Sequence, residues 1–251
     1  MRRALNYIAF IFGTVAIARA ADTIILLHGL GRSPLAMARL AHDLRTAGYE
    51  VRNLAYPSQH ADIRTLADAT LGPVFADNTS TSSTSPASVA SAHTARIHIV
   101  THSMGGILVR QYLHDHGTPT ALGRIVMLAP PNQGSALVDR LSLWSLYRRI
   151  NGPAGLQLGT FPDSVPNSLG PLPLGIEVGV IAGSRSLNPL FSAWLDGSDD
   201  GKVTVASTHL AGETAHLTVP HSHTWLMWRR TVLDEVRAFL RDGVFIPRQL
   251  S

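Results

Sequence analysis

The segment Ile97-His98-Ile99-Val100-Thr101-His102-Ser103-Met104-Gly105-Gly106 indicates a strand, a sharp turn and a helix in immediate succession. Its apolar, β-branched first half predicts a buried strand, and the amphipathic residues 107–116 predict the helix. A serine on such a turn projects its side chain, and the amides beside it face the positive end of the helix. We therefore interpret Ser103 as a nucleophile on an elbow. The alternative is an ordinary turn in which Ser103 caps the helix.

The composition predicts one sizeable globular domain behind an N-terminal leader. The chain has 251 residues, of which 45% are hydrophobic and 15% charged, so it can bury a large core. A positive start at Arg2 and Arg3, an apolar run over 5–18 and a small residue at Ala20 are typical of a secretory signal peptide, residues 1–20. The alternative is an uncleaved anchor, for which the apolar run is short. We expect cleavage after Ala20 and a secreted or periplasmic protein.

Charge and cysteine content exclude several classes of protein. The leader carries three arginines and no acid, so without it the net charge falls from +4 to about +1. No basic stripe remains, and we expect no nucleic-acid partner. Lys202 is the sole lysine. The chain has no cysteine, which excludes disulfides, thiol nucleophiles and lipidation at cysteine.

Short apolar runs alternate with helical patterns along residues 21–251. This alternation predicts an α/β domain with a mostly parallel sheet of about six strands and helices on both faces. Two segments depart from the pattern. Residues 78–91 are rich in Ser and Thr and predict an inserted loop. Residues 139–175 predict either a lid or pocket-lining segment, or a core helix followed by a structural loop.

A serine nucleophile needs a base, and the chain offers two histidines after its last predicted strand. Of His221 and His223 we prefer His223, because it directly precedes the closing helix. His221 would then be a pocket-wall or surface residue. Both could instead form a His-x-His metal site, as could His114 and His116, but no third ligand stands at a fixed spacing, so we predict no metal.

The base needs an acid to orient it, and three candidates follow the predicted strand over 176–182. They are Asp196, Asp199 and Asp200. We prefer Asp200, with Asp199 as its main rival, because Asp200 begins a turn into a short apolar stretch. The alternative is plain turn chemistry, for which Asp-Gly is a common choice.

Two backbone amides are candidates for an oxyanion hole. The amide of Met104 lies at the predicted helix start, and the loop after the strand at 23–27 supplies a second amide, that of Leu30. These residues would act through their backbone, so their side chains would only shape the pocket.

Four short motifs together resemble the α/β-hydrolase superfamily, specifically small secreted bacterial lipases and esterases. His28-Gly29-Leu30 resembles the oxyanion loop of that family, and residues 102–106 resemble its nucleophile elbow. Asp200-Gly201-Lys202-Val203 resembles the turn with the catalytic acid, and Ser222-His223-Thr224 the segment with the catalytic histidine. The order Ser, Asp, His is the order of the family.

The chain departs from the family pattern at two points. Thr101 stands where the Gly-x-Ser-x-Gly elbow has its first glycine, which implies different packing beside the turn. No strand is predicted between the leader and the strand at 23–27, so the sheet should be a shortened version of the family's.

The resemblance implies a carboxylic ester hydrolase that acts on acyl or lipid esters through Ser103, His223 and Asp200. The oxyanion would be bound by the amides of Leu30 and Met104. An acyltransferase, a thioesterase or an amidase with the same triad is the alternative, and a non-catalytic binding module is a second class. No cofactor is implied.

The expected partner is a small-molecule or lipid ester, and we expect a monomer. Five apolar residues of the segment 139–175 raise the hypothesis of a transient contact with a lipid interface. They are Leu141, Leu143, Trp144, Leu146 and Tyr147.

Overall fold

The computed structural model describes residues 22–79 and 95–247. The predicted signal peptide at 1–20 lies outside the described residues, and so does most of the predicted loop at 78–91. Within the described part of the chain, no helix is long and apolar enough to cross a membrane.

Six parallel strands form one sheet in the described part of the chain, in the order β2-β1-β3-β4-β5-β6. The strands are β1 (Thr23–Leu27), β2 (Glu50–Leu54), β3 (Ile97–His102), β4 (Leu122–Leu128), β5 (Val178–Gly183) and β6 (Ala215–Val219). The prediction of about six strands is confirmed. The central strands are apolar on both faces because helices cover both faces of the sheet.

Helices cover the sheet from both sides. The α-helices are α1 (Ala38–Thr46), α2 (Ile63–Thr79), α3 (Met104–His116), α4 (Ala136–Leu141), α5 (Ser145–Leu156), α6 (Val165–Ser168), α7 (Pro189–Ser192), α8 (Val205–Thr208) and α9 (Arg230–Asp242). Short 3₁₀ helices at Pro34–Met37 and Leu226–Trp228 precede α1 and α9. Helices α2 and α3 pack on one face, and α1 and α9 on the other.

Helix α2 is longer than the sequence predicted. The helical pattern in the sequence covers only 62–71, whereas α2 continues through Pro73 to Thr79 and takes the first two residues of the predicted loop at 78–91. A proline inside a helix costs about 3 kcal/mol. Here Leu71, two residues before the proline, and Val74, directly after it, are fully buried in the core, and their burial offsets that cost.

The strand order creates a crevice at the carboxyl edge of the sheet. From β1 the chain proceeds to β2 on one side and then crosses back to β3 on the other side. The loops that follow β1 and β3 therefore leave the sheet in opposite directions, and ligands bind at such switch points in parallel sheets. Ser103 directly follows β3 at this point.

Close packing of α9 against the sheet depends on a glycine in β5. A Cβ atom on Gly179 would lie 2.8 Å from the ring of Phe239, which is fully buried on α9. The absent side chain makes the space that the phenyl ring fills. The two positions are therefore matched in size.

We predict that substitutions at these two positions compensate for each other. Gly179→Ala should lower the free energy of unfolding by about 1–3 kcal/mol because it overpacks the core. Phe239→Leu should cost on the order of 1–2 kcal/mol. In denaturant titrations the double variant should lose about 1 kcal/mol less than the sum of the single losses. Strict additivity would contradict the packing described here.

Candidate active site

Ser103 occupies a strained turn between β3 and α3. Its φ of 54° is a positive value that residues other than glycine rarely adopt. The backbone amide of Ser103 donates to the carbonyl of Leu128 at 2.8 Å, which ties the turn to β4. The side chain makes no helix-capping hydrogen bond. Instead its Oγ lies 3.0 Å from Nε2 of His223.

His223 and Asp200 continue the same line of hydrogen bonds. Nδ1 of His223 lies 2.8 Å from Oδ2 of Asp200, whose side chain is completely buried. The other carboxylate oxygen, Oδ1, accepts from the backbone amides of Lys202 and Val203 at 3.0 and 2.9 Å. These amides fix the carboxylate and leave Oδ2 for the imidazole. The carboxylate in turn holds the proton of His223 on Nδ1, so Nε2 can accept from a hydroxyl.

The main chain of His223 is also held in place. Its amide donates to the carbonyl of Asp200 at 3.0 Å, and its own carbonyl lies 3.0 Å from Nε2 of His102. His102 is buried beside the nucleophile, and burial lowers the pKa of its imidazole well below the usual value, with a smaller effect from His223. His102 is therefore neutral and donates from Nε2 to the carbonyl. This contact could not be predicted from the sequence, because His102 and His223 lie 121 residues apart.

The rival candidates for the acid and the base are not hydrogen-bonded to Ser103, His223 or the carboxylate of Asp200. Oδ1 of Asp199 accepts from the hydroxyl of Ser192 at 2.8 Å and from the amide of Gly201 at 2.7 Å, which is turn chemistry. Asp196 is exposed. Nε2 of His221 pairs with the hydroxyl of Thr231 at 3.1 Å. The structure thus brings Asp200 and His223, and not their rivals, to Ser103.

The His-x-His pairs considered as metal sites do not converge on one point. His114 pairs with Asp115, and His116 with Asp68. A different group of side chains, not anticipated from the sequence, lies together away from Ser103. It consists of His209, Glu213 and His216, and Nδ1 of His209 lies 2.7 Å from Oε1 of Glu213.

The two predicted oxyanion amides, at the start of α3 and in the loop after β1, form no competing hydrogen bond. Neither Leu30 nor Met104 donates its backbone N–H to any group in the described part of the chain. The loop after β1 reaches Ser103 through Gly29, whose Cβ, if present, would lie 3.0 Å from Cβ of Ser103. A Cβ on Gly105 would lie 2.9 Å from the carbonyl oxygen of Leu27. Both glycines allow close backbone approach at the site.

Tyr56 supports the loop after β1. Its hydroxyl donates to the carbonyl of His28, and the two rings stack with centroids 4.2 Å apart. Burial raises the pKa of Tyr56 and lowers the pKa of His28, so both rings are neutral. This pair could not be predicted from the sequence, because Tyr56 follows β2 and contacts the loop only in the folded chain.

Thr101 fits beside the elbow because of a glycine on the facing helix. Its side chain is fully buried in β3, and its Oγ1 would lie 3.3 Å from a Cβ on Gly106. The absence of a side chain at Gly106 therefore leaves room for the side chain of Thr101. In the Gly-x-Ser-x-Gly pattern that room comes from a glycine at the position of Thr101 itself. The hydroxyl of Thr101 has no hydrogen-bond partner among the described residues.

Ser103 opens into a cavity of about 290 Å³. Segment 139–175 supplies part of its wall, since Leu141, Tyr147, Asn151 and Leu158 line the cavity. Two cationic side chains that the sequence analysis did not place, Arg32 and Lys202, also line it. The other lining residues are Gly29, Leu30, His102, Pro131, Ser135, Leu137, Val138, Phe191, Val203 and His223. A larger cavity of about 600 Å³ lies at the opposite edge of the sheet, beside Asp22 and Gly123, and does not include Ser103.

One end of segment 139–175 is anchored by a buried arginine on α3. The guanidinium of Arg110 donates to the carbonyls of Pro166 and Gly170 at 2.9 and 3.0 Å and to the carbonyl of Asn132 at 2.8 Å. Burial lowers the pKa of Arg110 to about 10, so the group remains charged at neutral pH. The bonds fix α6 to α3 and leave α4 and α5 as the part of the segment that is not held this way.

Comparison with known proteins gives matches in structure only. No protein-family model matches the chain, and no curated protein matches it in sequence. The mature lipase BlEst2 from Bacillus licheniformis superposes with a TM-score of 0.65 at 19% identity, over 90% of this chain and 93% of that one. The metagenomic carboxyl esterase MGS0156 gives 0.62 at 19% identity, over 82% and 66%.

A third similar structure is longer than this chain. Phospholipase PlaB from Legionella pneumophila gives a TM-score of 0.59 at 18% identity, over 81% of this chain and 53% of that one. This chain therefore spans about half the length of that phospholipase. Together the matches confirm the predicted fold class, which is a shortened α/β-hydrolase fold of the type found in bacterial lipases and esterases.

We predict that two buried threonines respond in opposite ways to replacement by valine. Thr101→Val removes an unpartnered buried hydroxyl and should raise the free energy of unfolding by about 1 kcal/mol. The matched control, Thr208→Val, removes a hydroxyl that bonds the carbonyl of Val205 and Nε2 of His216, and should lower it by about 1–3 kcal/mol. Denaturant titration measures both. A loss of stability in Thr101→Val would show that the hydroxyl has a role that the contacts do not reveal.

Proposed function

We propose that this chain, an α/β-hydrolase by fold, is a serine hydrolase that cleaves carboxylic esters. The observation that carries the proposal is the unbroken line of hydrogen bonds from Ser103 through His223 to Asp200 at the mouth of a cavity. The lipases and esterases that share the fold support ester hydrolysis as the reaction. Expression as a secreted or periplasmic monomer remains a prediction.

Each residue of the line has one task in the proposed reaction. Oγ of Ser103 attacks the ester carbonyl while Nε2 of His223 takes the hydroxyl proton. Asp200 stabilises the imidazolium that results. His223 then gives the proton to the leaving alcohol, which leaves an acyl group on Ser103. A water molecule, deprotonated by Nε2 of His223, attacks the acyl group, and His223 returns the proton to Oγ of Ser103 as the carboxylic acid leaves.

The backbone supplies the stabilisation of the tetrahedral intermediate. The N–H groups of Leu30 and Met104 are free to donate, and Met104 begins α3, where the helix dipole favours negative charge. Losing one oxyanion donor typically costs about 10²–10³ in rate. Gly29, whose Cβ would lie 3.0 Å from Cβ of Ser103, lets the loop that carries Leu30 pass close to the nucleophile.

Two choices separate the ester hydrolase from its alternatives: the acceptor of the acyl group and the bond that is first broken. An acyltransferase would pass the acyl group to an alcohol or amine, whereas a thioesterase or amidase would differ in the bond first broken. The lipases and esterases that share the fold support an ester as the bond and water as the acceptor. We therefore place ester hydrolysis first and keep the alternatives as outcomes of the assay.

We predict that the wild-type chain hydrolyses p-nitrophenyl esters and that Ser103→Ala does not. Asp200→Asn should lower kcat by about 10⁴, because Asn no longer holds the active tautomer of His223. The matched variant Asp199→Asn should affect kcat far less, because Asp199 bonds only to its own turn and to Ser192. Steady-state kinetics measures all four proteins. Equal losses in the two Asp variants would refute the role of Asp200, and inactivity of the wild type on every ester would refute ester hydrolysis.

The link between α4 and α5, together with the outer face of α5, supports a second proposal, contact with a lipid interface during catalysis. Leu143, Trp144, Leu146 and Ile150 are between 53% and 83% exposed. Tyr147, between them in sequence, instead lines the cavity. Residues 143–150 thus expose apolar side chains to solvent, while Tyr147 within the same segment faces the cavity at Ser103. An apolar face with this exposure favours adsorption to a lipid surface.

We predict that the rate on a partly soluble ester rises sharply above the concentration at which the ester forms micelles. Leu143→Ser combined with Leu146→Ser should reduce the ratio of micellar to monomeric rate, because it removes apolar surface from the interface. Leu174→Ser, at a fully exposed leucine outside the cavity, is the matched control and should preserve the ratio. A smooth rate curve in the wild type would indicate an esterase without interfacial contact.

A further inference from the structure

Two cationic side chains share the cavity with Ser103. Arg32 follows the loop that carries Leu30, and Lys202 follows Asp200 by two residues, so each lies close in sequence to a group of the proposed active site. Both side chains are exposed at the cavity rim. No Asp or Glu is among the described residues that line this cavity.

Neither cation has an anionic partner within the described part of the chain. The ammonium of Lys202 forms no hydrogen bond or ion pair there, and only the backbone N–H of Lys202 bonds to Asp200. The guanidinium of Arg32 makes one long contact, 3.4 Å, with the hydroxyl of Thr224. Some arginines elsewhere are paired, as in Arg124 with Glu177, but no such carboxylate lines this cavity. The rim cations are therefore available to a ligand.

The two cations also act on each other. Burial of part of the Lys202 side chain lowers the pKa of its ammonium, and the nearby charge of Arg32 lowers it further, against a smaller opposing effect of Asp200. Two like charges held together without an anion between them are unfavourable. An anionic group bound at the rim would remove this repulsion and form charge-assisted hydrogen bonds with both side chains.

We infer that the cavity takes esters that carry an anionic group, a phosphate or a carboxylate, near the bond that is cleaved. The inference rests on the proposed function, since it names the substrate class of the same site. Arg32 and Lys202 bind the anion and position the ester, while the reaction at Ser103 is unchanged. The side chain of Lys202 can be altered without removing the amide that holds Asp200.

Two pairs of esters test the inference and show where the anion lies. Dibutyrylglycerol and dibutyrylglycerol phosphate differ only by a phosphate in the alcohol part. The p-nitrophenyl esters of pentanoic acid and of glutaric acid differ only by a carboxylate at the end of the acyl part. In the wild type we expect a higher kcat/KM for the anionic member of at least one pair. The pair that shows it identifies the side of the ester that meets the cations.

Substitutions of Arg32 and Lys202 test whether these residues cause the preference for anionic esters. Arg32→Gln and Lys202→Gln should each lower the ratio of anionic to neutral kcat/KM by about tenfold, because each removes a charge-assisted hydrogen bond. Arg39→Gln removes the same charge from an exposed residue outside the cavity and should keep the ratio. In the wild type, raising the ionic strength should also lower the ratio, since salt screens exposed charges. An equal ratio in all four proteins overturns the inference but leaves ester hydrolysis intact.

A measurement that needs no turnover separates failure of the inference from failure of the proposed function. Because Lys202 is the sole lysine, its acetylation by an amine-reactive reagent can be followed on one peptide by mass spectrometry. In Ser103→Ala, glycerol phosphate should slow this acetylation, whereas glycerol at the same ionic strength should not. Equal rates with the two compounds would show that the rim holds no anion, whatever the outcome of the activity assays.

Discussion

A completely buried carboxylate, that of Asp200, accepts hydrogen bonds from two backbone amides and from the ring of His223. The bond to the ring joins the turn after β5 to the segment after β6, and through Nε2 it reaches the turn after β3. Without the bond between Asp200 and His223, the imidazole could rotate or change tautomer, and the hydroxyl of Ser103 would lose its base. His102 stabilises the same arrangement, because its Nε2 donates to the backbone carbonyl of His223.

Glycines determine how closely the elements of the site approach one another. A Cβ on Gly183, the last residue of β5, would lie 2.8 Å from Cβ of Asp200 and 2.4 Å from the carbonyl oxygen of His221. Gly29 and Gly105 have the same function around Ser103, where the loop after β1 and the start of α3 come together. These positions contribute no chemistry of their own. They allow groups from four separate strand ends to meet within hydrogen-bonding distance.

Much of this arrangement could be predicted from the sequence. In a parallel sheet every strand ends at the same edge, so Ser103 after β3 and His223 after β6 were expected to be neighbours. The sheet and its fold class were predicted for the same reason, from the alternation of apolar runs and helical patterns.

Other features depend on contacts that no local pattern encodes. Asp200 was preferred over the adjacent Asp199 from its turn alone. The close packing beside Gly183, where a Cβ would lie 2.8 Å from Cβ of Asp200, exists only in the folded chain. The helical pattern in the sequence ends at Leu71, and burial of Val74 carries α2 past Pro73. Arg32 and Lys202 line one cavity only in the folded chain, because they lie in distant loops.

The most direct test of the account is covalent labelling by a fluorophosphonate, because only a serine activated by a base reacts readily with it. Mass spectrometry of the digested protein should find one adduct, on the peptide that contains Ser103, and none in Ser103→Ala. Ser135 also lines the cavity, but its hydroxyl donates to the carbonyl of Lys202 at 2.7 Å, so Ser135→Ala should still be labelled. An adduct that persists in Ser103→Ala, or no adduct in the wild type, would contradict the role of Ser103 as the nucleophile.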